Sequence, residues 1–299
     1  MRDVAVVSYA VSDLRGGIEE TETQLLFPVI NEALEKAGIT RDDVGFTCSA
    51  SCDYLSGAPF AFVQNLEATG AWPPISESHV EMDGAWALYE AWVRLQHGDV
   101  DVALVFASGM STRCDMREVT AIGNDPYYLM PLWADYVSLA SLQAEVVGGE
   151  TPLRVPPTVD GAACVILAAG DKARSLVERP AWIAGIDHRS DAHYVGVRDL
   201  SVSASARIAG EQAGVDKAPI DVAELSALFE HEERILRDAL GLGDGVEVKG
   251  VDEHAFIVDG LIRIGQAASR VLDGSARRVL GHATQGPCLQ QNLVCVLEA

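Results

Sequence analysis

The chain has 299 residues, 48% of them apolar, with 22 basic and 44 acidic side chains and a formal charge of −22. Such a field repels nucleic acid and anionic membrane, and no basic stripe offsets it; it suits simple solubility or attraction to a more basic partner protein. The length allows one large core or two fused ones, and no apolar run reaches the roughly 20 residues needed to span a bilayer.

Val4 to Val7 predicts a first strand, entered without a signal-peptide layout, so a cytoplasmic protein is expected. Thr21 to Ala37 carries Leu25, Leu26, Val29, Ile30, Ala33, Leu34 and Ala37 at helical spacing and ends on Gly38 as a C-cap. Val44 to Ser49 reads as a strand and Pro59 to Thr69 as a short helix stopping at Gly70. Ser76 to Val80 reads as a third strand. Gly84 then opens a long helix running through Tyr89, Trp92 and Leu95 to His97-Gly98, followed by a strand at Val102 to Ala107. Between Thr112 and Pro157 the alternation lapses. That stretch holds Asp125-Pro126-Tyr127-Tyr128, Pro131-Leu132-Trp133 and a helical run from Ala134 to Glu145.

Order returns with strands at Val159 to Ala168 and Ala181 to Ile186. A helix at Ser201 to Ala213, a strand at Val222 to Leu225 and helices at Phe229 to Leu240 and Val258 to Leu272 follow. Arg278 to His282 and Asn292 to Leu297 complete the chain as strands. Short strands joined by helices imply an α/β fold with a largely parallel sheet covered on both faces.

Six cysteines are present. Cys48 and Cys52 have no second pair or nearby histidine to complete a zinc site, and no cationic neighbour in Thr47 to Leu55 activates either as a thiolate. Cys164 and Cys295 lie in apolar strand patterns, where cysteine behaves as a small hydrophobe. No disulfide framework is expected.

The stretch His79-Val80-Glu81-Met82-Asp83-Gly84-Ala85-Trp86-Ala87-Leu88 resembles the nucleophile turn of the thiolases, in which a reactive cysteine stands three residues before the glycine that opens a buried helix. Glu81 occupies the cysteine's place, and a carboxylate cannot carry an acyl group as a thioester. Asp160-Gly161-Ala162-Ala163 with its following aliphatics also resembles a thiolase strand. Val222-Ala223-Glu224-Leu225, Gly260-Leu261-Ile262-Arg263-Ile264-Gly265 and the ending His282-Ala283-Thr284-Gln285-Gly286-Pro287 narrow the likeness. They look closest to the sterol-carrier or lipid-transfer thiolases of actinobacterial kind.

This resemblance implies a thiolase-like αβαβα layered fold built from two similar halves, residues 1–157 and 158–299. It implies a coenzyme A thioester as ligand, with no covalently bound cofactor and no metal, although the polyanionic coenzyme sits awkwardly with the chain's charge. A homologous thiolase-like subunit and a small zinc-ribbon/OB-fold protein are the partners it suggests. Three elements depart from the family. Ala144 to Pro157 is too short for the usual loop domain. Lys249 to Phe256 lacks the paired glycines of the family's turn before the Gly-Leu-Ile-Arg helix. Ser226 stands where histidine often follows Ala-Glu-Leu.

Glu81, His231 and His282 are the candidate site residues. Glu81 reads either as a base, given enough burial, or as a cap of the helix at Gly84, a task open equally to Asp83. His231 either positions substrate or sits among surface carboxylates, and His282 precedes the segment where relatives place an oxyanion residue. His79 and His97 read as a strand-end residue and a helix C-terminal cation. The leading expectation is a non-catalytic subunit of a heteromer that degrades acyl-CoA or steroid side-chain thioesters. The alternatives are a retro-aldolase using Glu81 or His282, and an acyl-CoA carrier. Beyond residue 136 the sequence offers an aldolase only one acid–base tyrosine, Tyr194.

Overall fold

The computed structural model describes residues 1–70, 75–149 and 151–299; Glu150, inside the expected short loop, lies outside them. β1 (Val4–Val11) leads to α1 (Glu22–Ala37). Thr21 starts that helix because its hydroxyl accepts the Gln24 N–H while the Gln24 amide oxygen accepts the Thr21 N–H. Gly38 ends it in the left-handed region at φ 66°. β2 (Phe46–Ala50), α2 (Asp53–Ser56) and α3 (Leu66–Thr69) come next. The helix expected from Pro59 is shorter, because Ala61–Asn65 winds as a 3-10 turn. β3 (Glu77–Val80), α4 (Gly84–His97) and β4 (Val102–Gly109) follow as expected.

Two helices, α5 (Met116–Ile122) and α6 (Tyr136–Val146), fill the irregular stretch. Then come β5 (Gly161–Ala169), α7 (Gly170–Leu176), β6 (Ala181–Ser190), α8 (Ala204–Ala213) and β7 (Val222–Glu224). The chain ends with α9 (Glu230–Leu240), β8 (Glu247–Lys249), α10 (Asp259–Leu272), β9 (Arg278–Gln285) and β10 (Gln291–Glu298).

The ten strands of the described residues form one ladder in the order β3-β2-β4-β5-β1-β6-β10-β9-β7-β8. Outward from the β1–β6 contact the two sides repeat: β1, β5, β4, β2, β3 on one and β6, β10, β9, β7, β8 on the other. The contact itself is narrow, Ala5 opposite Trp182 and Val6 opposite Ala181. β3-β2-β4 and β8-β7-β9 pair in parallel, whereas every pairing from β4 through β5, β1, β6 and β10 to β9 is antiparallel. The sheet is therefore mixed rather than largely parallel. Antiparallel neighbours need no helical crossover, and β9 reaches β10 through residues 286–290 alone. β5 lies between β4 and β1, so a division after residue 157 would part it from both strands it pairs with.

Apolar packing produces five layers. Leu26, Ile30 and Ala33 of α1 bury against Val7, Leu104 and Ile166 on one outer face. Ala206 and Ala209 of α8, with Leu236 of α9, cover Leu280 and Val294 on the other. Between them α4 and α10 share one cluster with inward residues of both sides of the sheet, including Leu88, Leu95, Leu261, Val105 and Leu293. Two glycines let these inner helices sink that far. A Cβ on Gly84 would come within 2.9 Å of the Ala107 Cβ and 2.8 Å of the Leu261 Cβ, and one on Gly260 within 2.3 Å of the Ala283 Cβ and of Asp83 Oδ1. No helix among the described residues is long and apolar enough to cross a membrane.

Candidate active site

A cavity of about 420 Å³ opens where the C-terminal ends of β2, β3, β7 and β9 meet the N-termini of α4, α9 and α10. Ligands of parallel α/β sheets habitually bind outside strand carboxyl ends. The irregular stretch supplies one wall through Asn124, Leu129, Tyr136 and Leu139. The helices and turns of residues 119–139 thus cover this end of the sheet.

A carboxylate stands at the start of each of the three helices. Asp83 Oδ1 accepts the Ala85 N–H at 2.7 Å, starting α4, while its Oδ2 accepts the Gly260 N–H at 2.8 Å in the first turn of α10. The cap of the Gly84 helix is therefore Asp83 and not Glu81. Burial pushes Asp83 up to about 8, against the pull of these N–H groups. Glu232 accepts the Leu228 and Phe229 N–H groups at 3.0 and 3.2 Å at the start of α9, and burial raises it to about 7.

Asp259, the first residue of α10, accepts the Ala255 N–H at 2.9 Å through Oδ1. Its Oδ2 stands 2.5 Å from His254 Nδ1. His254 thus has one ring nitrogen held by a carboxylate and Nε2 left to exchange protons, the arrangement by which a second group orients an imidazole. Tyr136 lies 5.9 Å from His254 and Phe256 stands edge-on to it at 5.9 Å. Phe256 at φ 54° and Cys288 at φ 53° hold left-handed backbone on the same cavity wall, a strain of about 1–3 kcal/mol each that the surrounding packing must hold.

Of the three candidates from sequence, only Glu81 lines the cavity. Its carboxylate accepts the Asp53 N–H and the Ser51 hydroxyl, so it caps α2. Desolvation raises its pKa, and the hydrogen bond from the Asp53 N–H opposes the shift. His282 is fully buried behind the wall, with Nε2 2.9 Å from Asn292 Oδ1. Asn292 Nδ2 donates to Ser205 Oγ at 2.7 Å and to the Leu289 carbonyl at 2.8 Å, so its oxygen is the acceptor and His282 carries its proton on Nε2. Burial lowers His282 to about 4. His231 is also buried, stacks on Phe229 at 5.8 Å, and is lowered to about 4 by burial and by Arg234. Neither histidine lies on the cavity wall.

The sequence reading missed His254 and Asp259, because residues 249–256 form an irregular turn with no periodic pattern. The available signal was a histidine five residues before the acidic start of a glycine-rich helix. Tyr136 also lines the cavity.

The cavity therefore gathers carboxylates at helix starts around an imidazole–carboxylate pair, within five αβαβα layers. No protein-family model matches the sequence, and no curated protein matches it. Solved structures do match. Human mitochondrial 3-ketoacyl-CoA thiolase in complex with CoA aligns with a TM-score of 0.73 at 12% identity, over 100% of this chain and 98% of that one. Another structure of that human thiolase gives 0.75 at 14% identity, over 100% and 99%. An Ltp2-ChsH2(DUF35) aldolase gives 0.76 at 15% identity, over 99% and 98%. The fold is thiolase-like, and at such identities the likeness is one of fold.

Proposed function

We propose that the chain is a carbon–carbon lyase that cleaves a 3-hydroxyacyl thioester by acid–base chemistry, a retro-aldolase on a thiolase scaffold. One observation carries this reading: the Asp259-held His254 faces a formed cavity that Glu81 also lines, the residue that the sequence resemblance aligns with the thiolase nucleophile. Thiolysis needs a thiol to take the acyl group, whereas retro-aldol cleavage needs a base, an acid and a donor for the enolate. His254 Nε2 takes the proton of the 3-hydroxyl as the bond between the second and third carbons breaks. The third carbon leaves as a carbonyl, the electron pair passes into the thioester enolate, and the second carbon recovers a proton from the imidazolium. The Gln285 amide oxygen is occupied by the Asp83 N–H at 2.8 Å, which leaves its NH₂ as a donor for the thioester oxygen. The aldolase among the structural neighbours and the CoA bound by a thiolase neighbour agree with this reaction and ligand.

The test is incubation of the purified protein with 3-hydroxyacyl-CoA esters, scoring carbonyl product and shortened thioester. His254→Ala is expected to lower turnover by about 10²–10⁴-fold. Undiminished turnover in that variant removes the mechanism.

A second reading, a supporting subunit of a heteromer degrading steroid side-chain thioesters, is favoured by the edge of the sheet. Among the described residues β3 has one partner strand, and Phe62 stacks on its His79 beside exposed Phe60 and Val63. Such an edge suits strand pairing with a homologous thiolase-like chain. A zinc-ribbon/OB-fold protein is the further candidate, since the aldolase neighbour is named for two components.

A further inference from the structure

The charge of the cavity defines the acyl groups it accepts, an inference that rests on the thioester reading above. At about 420 Å³ the cavity is of ligand size, with Leu129, Leu139, Phe229, Val251 and Ile257 among its apolar surfaces. Three helix N-termini converge on it, and such termini ordinarily attract anions through unpaired N–H groups and the helix dipole. Here Asp83 takes the first-turn N–H groups of Ala85 on α4 and Gly260 on α10, and Glu232 and Asp259 place carboxylates in the first turns of α9 and α10.

Glu81 and Asp125 add two more acidic groups to the wall, and none of the described lining residues is Lys or Arg. The two histidines that face the cavity each have an acidic neighbour: His254 holds Asp259 through Nδ1, and His193 sits near Asp125. A carboxylate brought in on a ligand would lose its water, meet these acids and find no guanidinium or ammonium among the described lining residues.

We propose that the cavity selects thioesters whose acyl chain is uncharged and rejects those ending in a carboxylate. Binding can be compared by titration calorimetry at pH 7.5 using pentanoyl-pantetheine and glutaryl-pantetheine. The two chains have equal carbon counts, no phosphates and no 3-hydroxyl to react. The neutral ester is expected to bind at least tenfold more tightly. Glu232→Gln, which keeps an oxygen for the Leu228 and Phe229 N–H groups, is expected to tighten glutaryl binding several-fold and leave pentanoyl binding unchanged. Equal or tighter binding of the glutaryl ester by the unmodified protein overturns the inference while leaving the thioester reading intact. Binding of neither ester overturns both.

Discussion

Four buried groups respond to pH in opposite directions. Asp83 and Glu232 are raised to about 8 and about 7, so the folded protein binds their protons more tightly than the unfolded chain does. Their stabilisation is complete below the ordinary carboxyl range and is lost as pH climbs through 7 to 8. His231 and His282, lowered to about 4, are neutral when folded; their contribution is present above about 6.5 and lost as pH falls toward 4. From about 4.5 to 6.5 the two pairs oppose each other, and above 6.5 only the carboxyls act. The thermal midpoint is therefore expected to fall between pH 6.5 and 8.5, with a shallower fall in Asp83→Asn; a midpoint that rises over that interval contradicts the assignment. At this scale the sequence exposes residue types but not their directions. His282 and His254 are equally visible as letters, yet strand β9 buries the first against Asn292 while an irregular turn delivers the second to the cavity.

Two inner helices share one cap, so damage there spreads. Asp83→Ala removes an acceptor from both α4 and α10 and leaves buried N–H groups without a partner, an expected loss of about 2–4 kcal/mol. Gly260→Ala forces a methyl onto Ala283 and the Asp83 carboxylate at 2.3 Å, which overpacking costs place at about 1–3 kcal/mol. Urea unfolding measures both, and a neutral result for Gly260→Ala would mean that α10 can lift away from β9. Elements like these were legible: apolar spacing marks α1, α4 and α10, and glycines mark their ends. The three-residue β8 was not, because Glu247, Val248 and Lys249 show no apolar alternation. Nor was the antiparallel centre of the sheet, since strand direction depends on partners distant in sequence.

For the molecule as a whole, the net charge of −22 is the dominant long-range term. Self-repulsion of that size is screened by salt, so raising sodium chloride from about 0.01 to about 0.3 M is expected to raise the thermal midpoint. The same field favours a basic or charge-balanced partner. Native mass spectrometry after co-expression with neighbouring genes tests this directly. A defined assembly with a second thiolase-like chain supports the subunit reading, whereas a chain active alone supports the independent lyase. The layered architecture could be inferred from the resemblance, but the cavity could not, because residues from 52 to 291 meet there only after folding.

The narrow contact between β1 and β6 governs how the molecule comes apart. Only two residue pairs join the repeats along the ladder, so little of their cohesion resides in backbone pairing. It comes instead from α4 and α10 wedged between them, and those helices also shape the cavity. A ligand that draws their N-termini together would therefore clasp the two repeats as well as occupy the site. Conversely, any breathing of the repeats would open the cavity before a single strand was lost.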